Sequence, residues 1–168
     1  MKIFLIGFMG CGKSYWGKIW AGKLAVDFIE LDTLIEQQEQ STIATVFEQK
    51  GENYFRKVES DILKQLQQSE QCIISTGGGT PCFFDNMNWM NEQGQTIYLK
   101  ASPQFLVEKL LPEKDHRPIL KNIPDEKLET FIAGKLKERE IFYNQAKIIL
   151  DVEELNGDTI LNFTAHNL

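Results

Sequence analysis

The chain has 168 residues, a net charge of −6 and a pI near 5.0. This length suits one compact domain with a sizeable core, and the acidic balance argues against a nucleic-acid backbone as the main partner. The cysteines, Cys11, Cys72 and Cys82, are odd in number and form no C-x-x-C pair, which argues for a reducing compartment. Because no apolar run approaches membrane-spanning length, we expect a soluble, cytoplasmic protein without a membrane partner.

The stretch GFMGCGKS, residues 7–14, completes a G-x-x-x-x-G-K-[ST] motif between a predicted strand at residues 3–6 and a predicted helix at 14–25. Glycines let successive N–H groups face one anion, and the helix start adds partial positive charge. The motif therefore predicts a nucleotide phosphate site, with Lys13 at the β- and γ-phosphates and the Ser14 hydroxyl on a Mg²⁺. A glycine-rich turn without a ligand is the alternative, but it gives no reason for Lys13 and Ser14.

Residues 26–31 alternate between apolar and acidic and predict a strand that ends at Glu30-Leu31-Asp32. Residues two apart share a face of a strand, so both carboxylates should face the crevice at the carboxyl end of the sheet. A solvated acidic turn is the alternative. Residues 33–68 have helical periodicity, with breaks near Ser41, as a cap, and near Gly51.

The next strand is predicted at residues 72–75, and three consecutive glycines follow it, Gly77, Gly78 and Gly79. Such a run is interpreted as a close approach of the backbone to a ligand at the same crevice. A helix is predicted at residues 83–92 and a strand at 96–99, and Ser102 is predicted to cap the helix that follows.

Residues 111–125 contain three prolines and little periodicity, and therefore predict a surface loop of lid length. The remaining predicted elements are helices at residues 126–145 and 158–163, a strand at 147–152 and a turn at 156–157. Five short apolar strands separated by helices are typical of a parallel sheet that is covered on both faces. The two histidines, His116 and His166, are isolated and receive no metal or catalytic role.

The arginines are candidate site residues. Of 18 basic residues 15 are lysines, and only Arg56, Arg117 and Arg139 carry a guanidinium. Its planar, always charged fork matches carboxylate or phosphate oxygens two at a time. For any one arginine a structural ion pair is an equal alternative. Cys11, inside the phosphate loop, is interpreted as a small filler and not as a catalytic thiol.

Taken together, the motifs and their spacing resemble the shikimate kinases, members of the nucleoside monophosphate kinase-like P-loop fold. The resemblance covers nearly the whole chain and rests on six stretches, which are GFMGCGKS, ELD (30–32), FRKVE (55–59), GGG (77–79), HRPIL (116–120) and KEREIFY (137–143). It implies a three-layer sandwich with a five-stranded parallel sheet and helices on both faces. It also implies one domain over residues 1–168, with substrate-binding helices at about 32–61 and a lid at about 111–124.

The implied reaction transfers the γ-phosphoryl group of ATP to the 3-hydroxyl of shikimate, in the biosynthesis of chorismate and the aromatic amino acids. The implied catalytic residues are Lys13, Asp32 and Arg117. The residues expected to bind ATP are Gly10, Cys11, Gly12, Lys13, Ser14, Tyr15, Arg117 and Asn156. Those expected to bind shikimate are Asp32, Arg56, Gly77, Gly78, Gly79 and Arg139. Ser14 and Glu30, the latter through water, are expected to hold Mg²⁺, and the enzyme is expected to be a monomer.

The chain departs from the family pattern at two places. Glu30 stands where the family usually has Asp, which changes how a metal-bound water is held. The arginines that the family usually has near adenine are missing, and the chain offers Lys109 and the loop at residues 154–157 instead. There are two alternative functions. The chain could be a kinase of another small hydroxy acid such as gluconate, or a nucleotide-binding regulatory domain without catalysis.

Overall fold

The computed structural model describes residues 1–117 and 119–164. Pro118 and His166 lie outside the described residues, and so does the side chain of His116. The strands are β1 (Lys2–Ile6), β2 (Asp27–Glu30), β3 (Cys72–Ser75), β4 (Gln95–Lys100) and β5 (Ile148–Asp151). They form one parallel sheet in the order β2-β3-β1-β4-β5, which confirms the predicted five-stranded parallel sheet.

Helices connect the strands, as parallel pairing requires. They are α1 (Lys13–Leu24), α2 (Leu31–Glu39), α3 (Ile43–Gln65), α4 (Asn86–Gln93), α5 (Pro103–Leu110), α6 (Asp125–Tyr143) and α7 (Leu161–Thr164). Short 3-10 helices cover Leu66–Gln68, Thr80–Cys82, Leu111–His116 and Val152–Glu154. No helix in the described part of the chain has the length and apolar character needed to cross a bilayer.

The burial of the two interior strands β1 and β3 accounts for the three layers of the fold. Every residue of β1 and of β3 is buried, because helices cover both faces of the sheet. The edge strands β2 and β5 are only partly buried, and their sequences mix polar with apolar residues. The fold is therefore a three-layer α/β sandwich, as predicted.

Several predicted boundaries were wrong for local reasons. The strand predicted at residues 26–31 ends at Glu30, and Leu31, although apolar and fully buried, begins α2. Thr42, and not Ser41, caps α3, since the Thr42 hydroxyl accepts from the Thr45 N–H at 3.2 Å. The Ser41 N–H instead bonds to the Glu36 carbonyl and completes the preceding turn.

Other boundaries also moved. The helix predicted at residues 83–92 begins at Asn86, because Phe84 has a φ of 50° and interrupts helical geometry. The terminal helix predicted at 158–163 starts only at Leu161. The break near Gly51 is confirmed, since Gly51 has a φ of 81° inside α3. The Ser102 cap is confirmed too, because its hydroxyl accepts from the Phe105 N–H at 3.1 Å.

Candidate active site

The phosphate loop leaves the carboxyl end of β1 and enters α1. Gly7 has a φ of 142°, and a Cβ there would lie 2.7 Å from the Leu99 carbonyl oxygen, so only glycine fits this turn. Lys13 is largely buried, and its ammonium donates to the Gly7 carbonyl at 2.8 Å and to the Phe8 carbonyl at 2.9 Å. The cation is thus held inside the loop, where phosphate oxygens can replace the carbonyls as its acceptors.

A cavity of about 340 Å³ opens in front of this loop. Most of the residues predicted for the site line it, namely Gly10, Gly12, Lys13, Ser14, Tyr15, Glu30, Asp32, Gly77, Gly78 and Arg117. Four further residues line it for which no role was predicted, namely Met9, Ser75, Thr76 and Glu113, and it is also lined by Lys109, which the sequence offered near the adenine. The phosphate loop, the start of α2 and the glycine run therefore meet at the carboxyl ends of β1, β2 and β3.

Glu30 and Asp32 both line the cavity, as predicted, but they do not do so by sharing one face of a strand. They do not alternate along one strand, because Asp32 lies in the first turn of α2. Solvent reaches Asp32 through the cavity, yet the surrounding protein desolvates its carboxylate, which raises its pKa above the usual 3.8. Lys13 opposes this shift, while Glu36 and Glu30 add to it. Glu30 also contacts Lys18, at 3.8 Å.

Arg56 is buried and held from several sides. Its guanidinium donates to Glu59 at 3.1 Å and to Glu52 at 3.2 Å, and it lies 4.3 Å from the centre of the Phe83 ring. Glu59 is fully buried and also accepts from the Thr80 hydroxyl at 2.6 Å. Burial raises the pKa of Glu59, and the nearby Arg56 opposes that rise. The ion pair that was the structural alternative for Arg56 therefore exists, and it fixes where the guanidinium points.

The glycine run packs directly against two arginines. A Cβ on Gly79 would lie 2.6 Å from both terminal nitrogens of Arg56, and a Cβ on Gly78 would lie 3.3 Å from Nη1 of Arg139. The guanidinium of Arg139 also lies 5.3 Å from the centre of the Phe8 ring. The two guanidinium groups therefore approach neighbouring residues of one backbone turn that borders the cavity.

Arg117 lies in the predicted lid segment and borders two cavities. Besides the first, it lines an adjoining space of about 660 Å³, whose walls also include Ile43, Phe47 and Ile119. Its Nη2 donates to Glu113 at 2.8 Å. Its buried Nε has no hydrogen-bond partner among the residues that the structure describes. Arg117 therefore borders both cavities while it is paired with Glu113.

Some predicted site residues do not line the first cavity in the described part of the chain, namely Cys11, Arg56, Gly79, Arg139 and Asn156. Cys11 is buried under the loop, as expected of a filler. The backbone carbonyl of Asn156 accepts from the Trp20 indole at 3.3 Å, which ties the loop after β5 to α1. Glu59 was overlooked, although its position three residues after Arg56 on one helix was an available signal.

These features identify the class of enzyme to which the protein belongs. A P-loop with its lysine, a carboxylate at the same cavity, an arginine of the predicted lid segment, the buried Arg56 and the partly buried Arg139 form the site of a P-loop kinase for a small anionic acceptor. The family model described as "Shikimate kinase" matches residues 9–165. The shikimate kinase of Azobacteroides pseudotrichonymphae is 44% identical over 161 residues, which cover 95% of each chain. The chain belongs to the shikimate kinase family.

Solved structures agree with this assignment. The crystal structure of shikimate kinase from Bacteroides thetaiotaomicron superposes with a TM-score of 0.92 at 39% identity, covering 99% of this chain and 98% of that one. The shikimate kinase of Acinetobacter baumannii in complex with shikimate superposes with a TM-score of 0.87 at 28% identity, covering 99% and 93%.

Proposed function

We propose that the protein transfers the γ-phosphoryl group of ATP to the 3-hydroxyl of shikimate and releases shikimate 3-phosphate and ADP. The observation that carries this proposal is the single cavity that joins the Lys13 phosphate loop to Asp32 and to the glycine run on which Arg56 and Arg139 pack. Family membership supports the same reaction, and a relative of this fold has been solved in complex with shikimate.

The triphosphate of ATP is assigned to the phosphate loop, with Lys13 at the β- and γ-phosphates. Lys13 now donates to the carbonyls of Gly7 and Phe8, and phosphate oxygens would take over these hydrogen bonds. For the adenine and ribose we propose the neighbourhood of Lys109 and Asn156. Lys109 supports this assignment because it lines the cavity. Its ammonium nitrogen lies 5.4 Å from the centre of the Phe105 ring.

The carboxylate of shikimate is assigned to Arg56 and Arg139. Carboxylate recognition by two planar guanidinium groups is geometrically demanding, and Arg56 is suited to it because Glu59 and Phe83 hold it in place. Gly78 and Gly79 leave room for both arginines at the turn, since a Cβ at either position would crowd them. The ring hydroxyls would then lie toward Asp32, on the phosphate side of the cavity.

Mg²⁺ is proposed as the cofactor. Within residues 1–117 and 119–164, no three His, Cys, Asp or Glu side chains are grouped closely enough to hold a metal ion by themselves. This fits Mg²⁺, which keeps several waters and is usually bound by one or two protein oxygens together with substrate phosphates. Ser14 would supply a protein oxygen directly, and Glu30 would act through a bound water. The bound ion would neutralise charge on the β- and γ-phosphates.

Asp32 is proposed to orient the attacking 3-hydroxyl and to accept its proton. The hydroxyl oxygen forms a bond to the γ-phosphorus while the bond from that phosphorus to the bridging oxygen breaks, and ADP leaves with the electron pair. The raised pKa of Asp32 suits this role, because a stronger base accepts the proton more readily.

Arg117 is proposed to join the site as the lid segment at about 111–124 closes. The negative charge of the phosphates would favour this movement, because it attracts Arg117 and repels the Glu113 carboxylate to which Arg117 donates. A closed lid excludes water and so suppresses hydrolysis of ATP.

We further propose that the chain acts as one domain and as a monomer. The cytoplasm is the proposed location, because Cys11, Cys72 and Cys82 are free thiols.

A substrate panel tests the proposed reaction. The rate of ADP release at saturating MgATP is measured with shikimate, with gluconate and without an acceptor. We expect turnover with shikimate to exceed both other rates by orders of magnitude. A preference for gluconate would assign the protein to the related hydroxy-acid kinases, and equal rates under all three conditions would indicate a protein without acceptor phosphorylation.

A further inference from the structure

Tyr143 is a fully buried residue at the end of α6 that no step of the reaction uses. Its hydroxyl donates to the backbone carbonyl of Gly78. Its ring packs against the ring of Tyr98, with centroids 5.0 Å apart. The hydroxyl thus links the last turn of α6 to the middle of the glycine run, 65 residues away in the sequence.

Arg139 lies one helical turn before Tyr143, on the same face of α6. The Arg139 guanidinium lies near enough to the Tyr143 hydroxyl for its positive charge to oppose the rise in the pKa of Tyr143, and its Nη1 lies 3.3 Å from the position of a Cβ on Gly78. Burial raises the pKa of Tyr143, so the hydroxyl keeps its proton and remains a donor. The hydroxyl therefore donates to the Gly78 carbonyl beside the Arg139 guanidinium.

We propose that Tyr143 is a positioning residue for the acceptor substrate, whose hydroxyl holds the Gly78 backbone in place beside the Arg139 guanidinium. This inference rests on the proposed function, in which Arg139 binds the shikimate carboxylate beside Gly78. A guanidinium and a carboxylate form two parallel hydrogen bonds only within a narrow range of orientations. A residue that fixes the backbone beside Arg139 therefore acts mainly on shikimate binding, and acts on the phosphate loop only through the contacts of Gly78 with Gly7 and Met9.

The test compares Tyr143→Phe with Tyr98→Phe. Both variants remove one hydroxyl from the same buried aromatic pair, but the Tyr98 hydroxyl contacts Glu140, at 3.4 Å, and neither Arg139 nor the glycine run. Steady-state kinetics are measured at a temperature below the lower of the two variants' thermal unfolding midpoints. We expect Tyr143→Phe to raise KM for shikimate about threefold to tenfold, as loss of one hydrogen bond implies, with a smaller change in KM for ATP. Tyr98→Phe should leave both values unchanged.

A double-mutant cycle asks whether Tyr143 acts through Arg139. Arg139→Lys removes the planar fork, so adding Tyr143→Phe to it should raise KM for shikimate less than Tyr143→Phe does alone. Additive effects would overturn the proposal, as would an unchanged KM for shikimate, an equal rise in both KM values, or a Tyr143→Phe protein that does not fold. Wild-type turnover in the same assay separates these results from failure of the proposed function, which would leave the wild type inactive toward shikimate.

Discussion

The Gly79→Ala variant tests the arrangement of the acceptor site with a single methyl group. Gly79 has φ −92° and ψ −16°, which any residue adopts, so the substitution introduces no backbone strain. The new Cβ would lie 2.6 Å from both terminal nitrogens of Arg56 and 2.7 Å from its Cζ. Comfortable contacts begin near 3.5 Å, so the guanidinium has to move by about 1 Å.

The residues around Arg56 restrict this displacement of the guanidinium. Arg56 is held by the fully buried Glu59 at 3.1 Å and faces the Phe83 ring at 4.3 Å. A guanidinium shifted by about 1 Å loses at least one good hydrogen bond to a bound carboxylate, which is worth about 1.5 to 3 kcal/mol. We therefore expect the dissociation constant for shikimate to rise about 10- to 100-fold.

The assay is titration calorimetry with shikimate, together with KM values for both substrates and thermal unfolding. Gly134→Ala is the matched control, because Gly134 lies on α6 and a Cβ there has no heavy atom within 4 Å. Alanine in a helix should stabilise that variant by about 0.5 to 1 kcal/mol without changing its kinetics. Wild-type shikimate affinity in a folded Gly79→Ala protein would refute the proposed contact between Arg56 and the acceptor.

Three further predictions concern the phosphate side of the cavity. Lys13→Ala should abolish ADP release while circular dichroism shows an intact fold, because Lys13 supplies charge to the loop. Arg117→Ala should lower turnover more than it weakens shikimate binding by calorimetry, because Arg117 joins through the lid. Asp32→Asn should lower turnover about 10²- to 10⁴-fold, while Glu30→Gln should shift the Mg²⁺ dependence. Wild-type turnover should fall as pH falls through the raised pKa of Asp32, since protonation removes the acceptor, and Asp32→Asn should lack this acid limb.

Specific outcomes would contradict these expectations. Normal turnover in a folded Lys13→Ala protein would remove the phosphate role of Lys13. Lost shikimate affinity with unchanged turnover in Arg117→Ala would make Arg117 an acceptor-binding residue. If Asp32→Asn kept nearly full turnover and the wild-type acid limb, Asp32 could not be the base. Exchanged phenotypes for Asp32 and Glu30 would reverse their assignments.

Local patterns in the sequence were enough to predict the phosphate loop and the five strands. The loop is encoded in consecutive residues, and the apolar strands reflect burial on both faces of the sheet. The start of α2 was missed because Leu31 is apolar and fully buried, so it continues the pattern of a strand. The cap at Thr42 was misplaced by one residue because Ser41 has the same capping chemistry.

Apart from the pairs of Arg56 with Glu52 and Glu59 on its own helix, the contacts that orient the arginines could not be predicted from the sequence. Glu59 accepts a hydrogen bond from Thr80, which is 21 residues away in the sequence. Tyr143 donates one to Gly78, which is 65 residues away. Such pairs depend on how α3 and α6 pack around the glycine run, which no periodicity encodes. Sequence spacing therefore identified which arginines to consider, whereas tertiary packing decides where they point.

The proposed reaction transfers the γ-phosphoryl group of ATP to the 3-hydroxyl of shikimate. Phosphorus and proton NMR of a complete reaction mixture measures this directly. We expect one new phosphate monoester at the 3-position of shikimate for every ADP formed, with little inorganic phosphate. A monoester at another hydroxyl, or ADP accompanied only by inorganic phosphate, would contradict it.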